Sequence, residues 1–330
     1  MFSIIIICVI IFALLFEFIN GFHDTANAIA TSVYTRALSA KNAIILAAGM
    51  NFVGALVSEK VAMTITHGLI NVEVEEYVIL AALLGAIIWN LLTWWIGIPS
   101  SSSHALIGSL VGAAIVYSMS FDHIIWGGFI KKVVIPLFTS PILGFFTGLA
   151  IMKLIFHFLA TTSPGKVNKV FSKLQIPSAA LVAFSHGMND AQKTMGIITL
   201  ALITGDILPE GSGVPLAVKI ICAAMITLGT SVGGWKIMKT MGSGVTKLTP
   251  AGGFAAQTSA AIVIELMSFL GAPISTTHVI TTSVMGVGSA KRLSAVKWGV
   301  AKTIVLTWVI TLPITAALGG LCVLILQIFI

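Results

Sequence analysis

The sequence predicts an all-α membrane protein made of two inverted-topology repeats, each with transmembrane helices and a re-entrant helical hairpin. Three observations predict it. Of 330 residues, 57% are hydrophobic and 9% are charged. A soluble domain carries roughly 25% charged residues, and a chain this apolar lacks the polar groups to cover its own surface. Apolar runs long enough to cross a bilayer, about 20 residues, recur from end to end. Two short polar motifs each occur twice, in the same order.

Residues 4–19 are the first apolar run. They lack the basic n-region and small-residue cleavage site of a signal peptide, so the run is expected to be a retained span. Residues 77–98 meet Pro99, and the apolar pattern resumes at 105–117, which gives the first hairpin, about 77–118. Residues 133–159 close the first repeat, 1–160. The most polar stretch, 161–176, holds Pro164, Gly165 and several lysines and is expected to be a cytoplasmic linker. The second repeat is 177–330. Its hairpin, about 251–289, comes from 254–272, Pro273 and 279–287, and the last run is 303–330. The abundance of glycine, 31 residues, suits membrane helices that pack closely. Cys8, Cys222 and Cys322 lie in apolar runs without metal-ligand spacing and are expected to be small buried hydrophobes.

Charge assigns the loops to sides. Arg36, Lys41, Lys153, Lys166, Lys169, Lys173, Lys236, Lys239, Lys247, Lys291, Arg292 and Lys297 fall in one set of connections. Glu73, Glu75, Glu76, Asp122, Asp206 and Glu210 fall in the other. The positive-inside rule makes the basic set cytoplasmic, so both termini are expected to be extracytoplasmic. Lys131 and Lys132 run against this scheme. The net charge of +7 then belongs to cytoplasmic loops, and no nucleic-acid partner is expected. Glu17, Asp24, Glu59, Asp190 and Glu265 lie in or beside apolar runs, where an ionisable residue is a functional candidate by default.

The repeated motifs define the halves. Gly21-Phe22-His23-Asp24-Thr25-Ala26-Asn27 is matched by Gly187-Met188-Asn189-Asp190-Ala191-Gln192-Lys193. Pro99-Ser100-Ser101-Ser102-Ser103-His104 is matched by Pro273-Ile274-Ser275-Thr276-Thr277-His278. The charge scheme starts one half outside and the other inside, the arrangement of many secondary transporters.

Each Pro-hydroxyl motif interrupts a long apolar stretch. Proline ends a helix and the following Ser or Thr caps the next. Such a break is tolerated at membrane depth only when it is buried in protein or lines a watery cavity. The helix that restarts there presents free N–H groups, a positive dipole end and several hydroxyls, which together bind anions. Ser101, Ser102 and Ser103 are one expected half of a tetrahedral-oxyanion site, and Ser275, Thr276 and Thr277 the other. The competing reading is that these hydroxyls only cap helices or bond back to carbonyls.

Asp24 and Asp190 occupy matching positions, with Asn27 and Asn189 nearby. An unpaired carboxylate is costly in an apolar setting. Carboxylate and amide oxygens suit a hard cation such as Na+; alternatively the carboxylate takes a proton. An anion beside two bare carboxylates is repelled strongly at low dielectric, so anion and cation bind well only together. Asp24, Asn27, Asn189 and Asp190 are therefore expected to hold the coupling cation or proton, with Asp24, Asn27 and Asp190 as metal ligands if it is Na+. The competing reading pairs Asp190 with Lys193, three residues on.

Other polar residues carry less. His104 and His278 are expected to bond the helix starts. His23 and His186 adjoin the Asp motifs without aligning with each other, and Asn90, Gln257 and Glu265 lie in the first arms of the hairpins. Neither a P-loop nor a nucleophile-base pair is present, which argues against direct ATP coupling and against an enzyme; no cofactor is expected.

At these residues the sequence resembles the PiT family of inorganic phosphate transporters. Gly21-Phe22-His23-Asp24-Thr25-Ala26-Asn27-Ala28 and His186-Gly187-Met188-Asn189-Asp190-Ala191 are similar to its two Gly-x-Asn-Asp-x-Ala-Asn-Ala signatures. His23 replaces an Asn in the first, and Gln192-Lys193 replace Ala-Asn in the second, departures that look like the bacterial branch. Pro273–His278 is similar to the family's Val-Ser-Thr-Thr-His element. The resemblance implies re-entrant hairpins, phosphate between their tips, and cation symport. Lys193 supplies positive charge of its own and joins the expected phosphate-binding residues, which implies fewer metal ions.

The function expected is secondary active transport: symport of inorganic phosphate with Na+ or H+ across the cell membrane by alternating access. A sulfate or other oxyanion permease and a passive anion channel are the alternatives. The partners expected are phosphate, Na+ or H+ and the lipid bilayer; oligomeric state is left open, a homodimer among the arrangements allowed.

Overall fold

The computed structural model describes residues 3–70, 74–233, 238 and 245–329, without the side chains of Ala26 and Asn27. Glu73, Lys236 and Lys239 of the charge scheme lie outside this set. Among the described residues the chain is helical, without strands. The first half holds α1 (Ile4–Tyr34), α2 (Ala40–Ala55), α3 (Lys60–Gly68), α4 (Glu76–Ile96), α5 (Ser102–Ser118) and α6 (Trp126–Phe158). The second holds α7 (Pro164–Thr204), α8 (Leu216–Val232), α9 (Pro250–Phe269), α10 (Thr276–Lys291) and α11 (Trp298–Leu326). Helices α1, α4, α6, α9 and α11 are each long and apolar enough to cross a bilayer, and α2 with α3, bent by 61°, adds a sixth.

The burial pattern inverts that of a soluble protein. Phe138, Phe146, Val309 and Leu324 face outward, while Glu17, Asp24, Asp190 and Lys193 are buried. Lipid tails are as apolar as leucine, so the outward face gains nothing from being polar, and the polar residues find their partners inside.

Most of the stretch expected as a linker, from residue 164 onward, is the start of α7. Pro164 is tolerated there because the first helical N–H is an orphan in any case. Phe171, Gln175, Ser178 and Val182 are buried at helical spacing, so this end of α7 has a packed face of its own.

The two halves exchange helices. Helix α1 packs on α8 as α7 packs on α2, and α5 packs on α11 as α10 packs on α6. Within each half α1 lies on α4 as α7 lies on α9. The motif glycines sit at the exchanged contacts: a Cβ on Gly187 would stand 2.6 Å from the Asn51 Cα of α2.

The hairpin breaks match residue for residue. Gly97 ends α4 and Gly271 follows α9, with φ of 80° and 69°, a conformation that costs glycine nothing. Two residues on, Pro99 and Pro273 bar helix continuation. Ser101 then caps α5 and Ser275 caps α10, with oxygens 3.1 and 3.2 Å from the His104 and His278 N–H groups. Residues 99–103 and 271–278 are all buried. Lys60 and Lys132 donate to the carbonyls of Phe269 and Leu270, at 3.3 and 2.5 Å. These are orphan acceptors at the end of α9, which gives Lys132 a local partner despite its place in the charge scheme.

Candidate functional site

The two Asp motifs lie inside unbroken helices, and the two hydroxyl motifs lie at breaks. Helices α1 and α7 therefore carry their carboxylates past the starts of α5 and α10. One ligand atom each from Asp24, His186 and Asp190 falls within a span of 4.8 Å, all buried.

Asp24 is held by neutral donors and by histidine. Its Oδ1 lies 2.8 Å from His23 Nδ1 and accepts from the Thr277 hydroxyl of α10 at 3.1 Å. Its Oδ2 takes a short bond from Ser102 of α5. Ser102 has one proton and stands between this oxygen and Asn20 Oδ1, at 2.8 Å from the latter. His23 Nε2 reaches Thr93 at 3.2 Å, and Thr93 bonds Ser100 at 2.8 Å, so the ring is braced against the first break.

Asp190 is held by a lysine. Its Oδ1 takes a short bond from Lys193 Nζ, and its Oδ2 lies 3.1 Å from both His186 Nε2 and the Thr276 hydroxyl. Lys193, 1% exposed, also donates to the Ser103 hydroxyl and, at 3.0 Å, to the Ile274 carbonyl. Ser103 donates to the same carbonyl at 2.9 Å. The lysine thus joins α7 to both breaks.

His186 is oriented from α2. Its Nδ1 lies 3.0 Å from Asn51 Oδ1, an atom that only accepts, so Nδ1 carries the proton. The Asn51 amide donates to Thr25 and Thr230 at 3.0 and 2.8 Å, which fixes which way it faces. His186 therefore presents Nε2 to the carboxylate.

The expected residues divide. Asp24, Asp190, Lys193, Ser102, Ser103, Thr276 and Thr277 converge. The Ser101 and Ser275 hydroxyls are occupied as caps, the competing reading for these two. Asn189 points to the second break instead, donating to Ser268 at 2.7 Å and Ala272 O at 3.3 Å. The Asn27 side chain lies outside the described set. His104 and His278 sit ring to ring, centroids 4.9 Å apart, and His278 stacks on Trp308 at 3.9 Å. Gln257 bonds Ser178 and Ser32 at 2.9 and 2.7 Å, and Glu265 accepts from Ser185 at 2.9 Å; both are bonds between helices. Glu59 is paired with Lys219 at 2.6 Å.

Sequence reasoning missed Asn20, Asn51, the Ile274 carbonyl and Glu17 as neighbours of this site. Glu17 is fully buried two turns before Asp24, bonded to the Thr194 hydroxyl, and within electrostatic reach of Asp190 and Lys193. It was visible as an intramembrane acid, but its partners were not.

Chemically, the site offers two helix starts and four hydroxyls to an anion, and carboxylates to a cation or proton. The two kinds of group are interleaved rather than separated.

Residues 20–319 match the family described as the phosphate transporter family. The chain is 49% identical to a probable low-affinity inorganic phosphate transporter of Bacillus subtilis (strain 168), with 98% of each chain covered. It is 47% identical to one of Rhizobium meliloti (strain 1021), covering 94% of this chain and 93% of the relative. A solved structure described as the sodium-dependent phosphate transporter superposes with a TM-score of 0.86 at 27% identity, over 99% of this chain and 100% of that one.

Proposed function

We propose that this chain, which belongs to the phosphate transporter family, carries inorganic phosphate across the cell membrane by cation-coupled symport. One observation carries the reading: Asp24 and Asp190 lie against the hydroxyls of both helix starts, Ser102 with Thr277 and Thr276 with Lys193. An anion entering there meets carboxylates at low dielectric, and a co-bound cation offsets the repulsion. Phosphate also donates hydrogen bonds, which sulfate at neutral pH does not, so carboxylates near the anion favour phosphate.

In this mechanism phosphate sits between the two breaks, held by Ser102, Ser103, Thr276, Thr277, Lys193 and the N–H groups of α5 and α10. Ser101 and Ser275 keep those starts in shape. Asp24 serves the coupling ion, Na+ or H+, with Asn27, three residues on in sequence, as its expected companion, while Asp190, paired with Lys193, supplies a fixed charge pair beside it. The superposed transporter is sodium-dependent, which favours Na+. The exchanged packing of α5 on α11 and α10 on α6 supports two inverted repeats with re-entrant hairpins. Alternating access follows as movement of one helix group against the other, with both termini extracytoplasmic.

Proteoliposomes test this. Labelled phosphate is expected to accumulate against its gradient when a Na+ or proton gradient is imposed. Uptake that only equilibrates, under either gradient, identifies a channel instead.

A further inference from the structure

The asymmetry between the two Asp sites has a chemical meaning. In Gly21-x-x-Asp24-x-x-Asn27 the third residue after the aspartate is an amide; in Gly187-x-x-Asp190-x-x-Lys193 it is an ammonium. We propose that Lys193 is a tethered cation: its ammonium stands where the second half would otherwise hold an exchangeable coupling cation, so phosphate binding needs one free cation fewer. This rests on the symport reading above and deepens it.

Three oxygens of different kinds surround Nζ. It has a carboxylate oxygen from Asp190, a hydroxyl oxygen from Ser103 and a backbone carbonyl oxygen from Ile274. These come from three separate segments, α7 and both hairpin breaks. Hard cations take such mixed oxygen sets. An ammonium with three protons satisfies the same three oxygens as a donor. The side chain is 1% exposed and covalently attached, so it neutralises Asp190 and cannot leave with the substrate.

Asp24 contrasts with this. Among the described residues its partners are His23, Ser102 and Thr277, with no lysine or arginine. Asp24 thus has no tethered ammonium among the described residues, whereas Asp190 has one. Phosphate arriving between the breaks meets one fixed positive charge and recruits one mobile one.

The substitution Lys193→Asn restores in the second half the Asp-x-x-Asn spacing of the first. Phosphate binding by purified protein is measured by calorimetry in choline and in Na+ buffers, for the parent chain, Lys193→Asn and Lys193→Ala. At a low Na+ concentration, balanced with choline, that still supports binding by the parent chain, Lys193→Asn is expected to lose about a hundredfold or more in phosphate affinity, as breaking a buried ion pair implies. Higher Na+ is expected to restore it, with a steeper Na+ dependence than the parent shows. In Lys193→Ala, methylammonium, which refills the vacated position, is expected to restore binding. Two results overturn the proposal. One is a Lys193→Asn protein that binds phosphate with parental affinity and parental Na+ dependence. The other is a pair of monodisperse, folded variants that no monovalent cation rescues, which makes Lys193 a strut between α7 and the breaks. Failure of the parent chain itself to bind phosphate under any condition strikes at the transport reading, and is told apart by that.

Discussion

The Ser103 hydroxyl donates to the Ile274 carbonyl at 2.9 Å, so the two hairpin breaks, 171 residues apart in sequence, touch. This bond and Lys193 Nζ both link the two breaks. Ser103→Ala removes the bond and one contact of Lys193 as well. A buried hydrogen bond to a charged partner is worth about 1.5–3 kcal/mol. Phosphate affinity is expected to fall by about tenfold to a hundredfold, read from the concentration dependence of uptake.

The two carboxylates are not spare. Asp24→Asn and Asp190→Asn keep the shape of the side chain and remove its charge. Each is expected to abolish accumulation against a gradient while leaving the protein in the membrane. Gradient-driven uptake at parental levels in both variants would refute their assignment to coupling.

Asn51 touches neither hairpin motif in the contacts described, yet it sets the face of His186 that Asp190 meets. Asn51→Leu leaves His186 Nδ1, Thr25 and Thr230 without their amide partner. An unsatisfied buried polar group costs about 1–3 kcal/mol. A lower melting temperature in detergent is expected, together with weakened transport. Asn51→Asp, which keeps the acceptor for Nδ1, is expected to preserve more transport than Asn51→Leu.

Gly187→Val drives a side chain into the Asn51 backbone of α2. Overpacking of this kind costs typically about 1–3 kcal/mol, and more where only backbone faces it. The folded yield, measured by size-exclusion chromatography after extraction, is expected to drop sharply.

Much of this site was legible because its determinants are local. Proline and a capping hydroxyl define each break within three residues, and the repetition of Pro99–His104 as Pro273–His278 doubles the signal. Asp24 and Asp190 stood out because charge is rare in apolar runs. What was not legible depends on distance in sequence. Whether a hydroxyl caps its own helix or reaches a carboxylate is decided by α1 and α7, not by the motif. Hence Ser101 and Ser275 turned inward to caps while Ser102 and Thr277 reached Asp24. Asn189 turned to the second break because Ser268 and Ala272 lie beside it. The start of α7 looked like a linker because its lysines hide a buried face of only a few residues.

The crossed partnership of α5 with α11 and α10 with α6 bears on how the protein is made. A ribosome that has released only the first 160 residues has delivered α5 with α4 on one side but without α11, and α6 without α10. A stable translation product therefore has to wait for the last helix, α11. Until then Gly108 and Gly112, which lie against Leu312 and Ala316 of α11 in the finished protein, lack that partner. Two halves expressed as separate chains should accordingly be degraded alone and persist together.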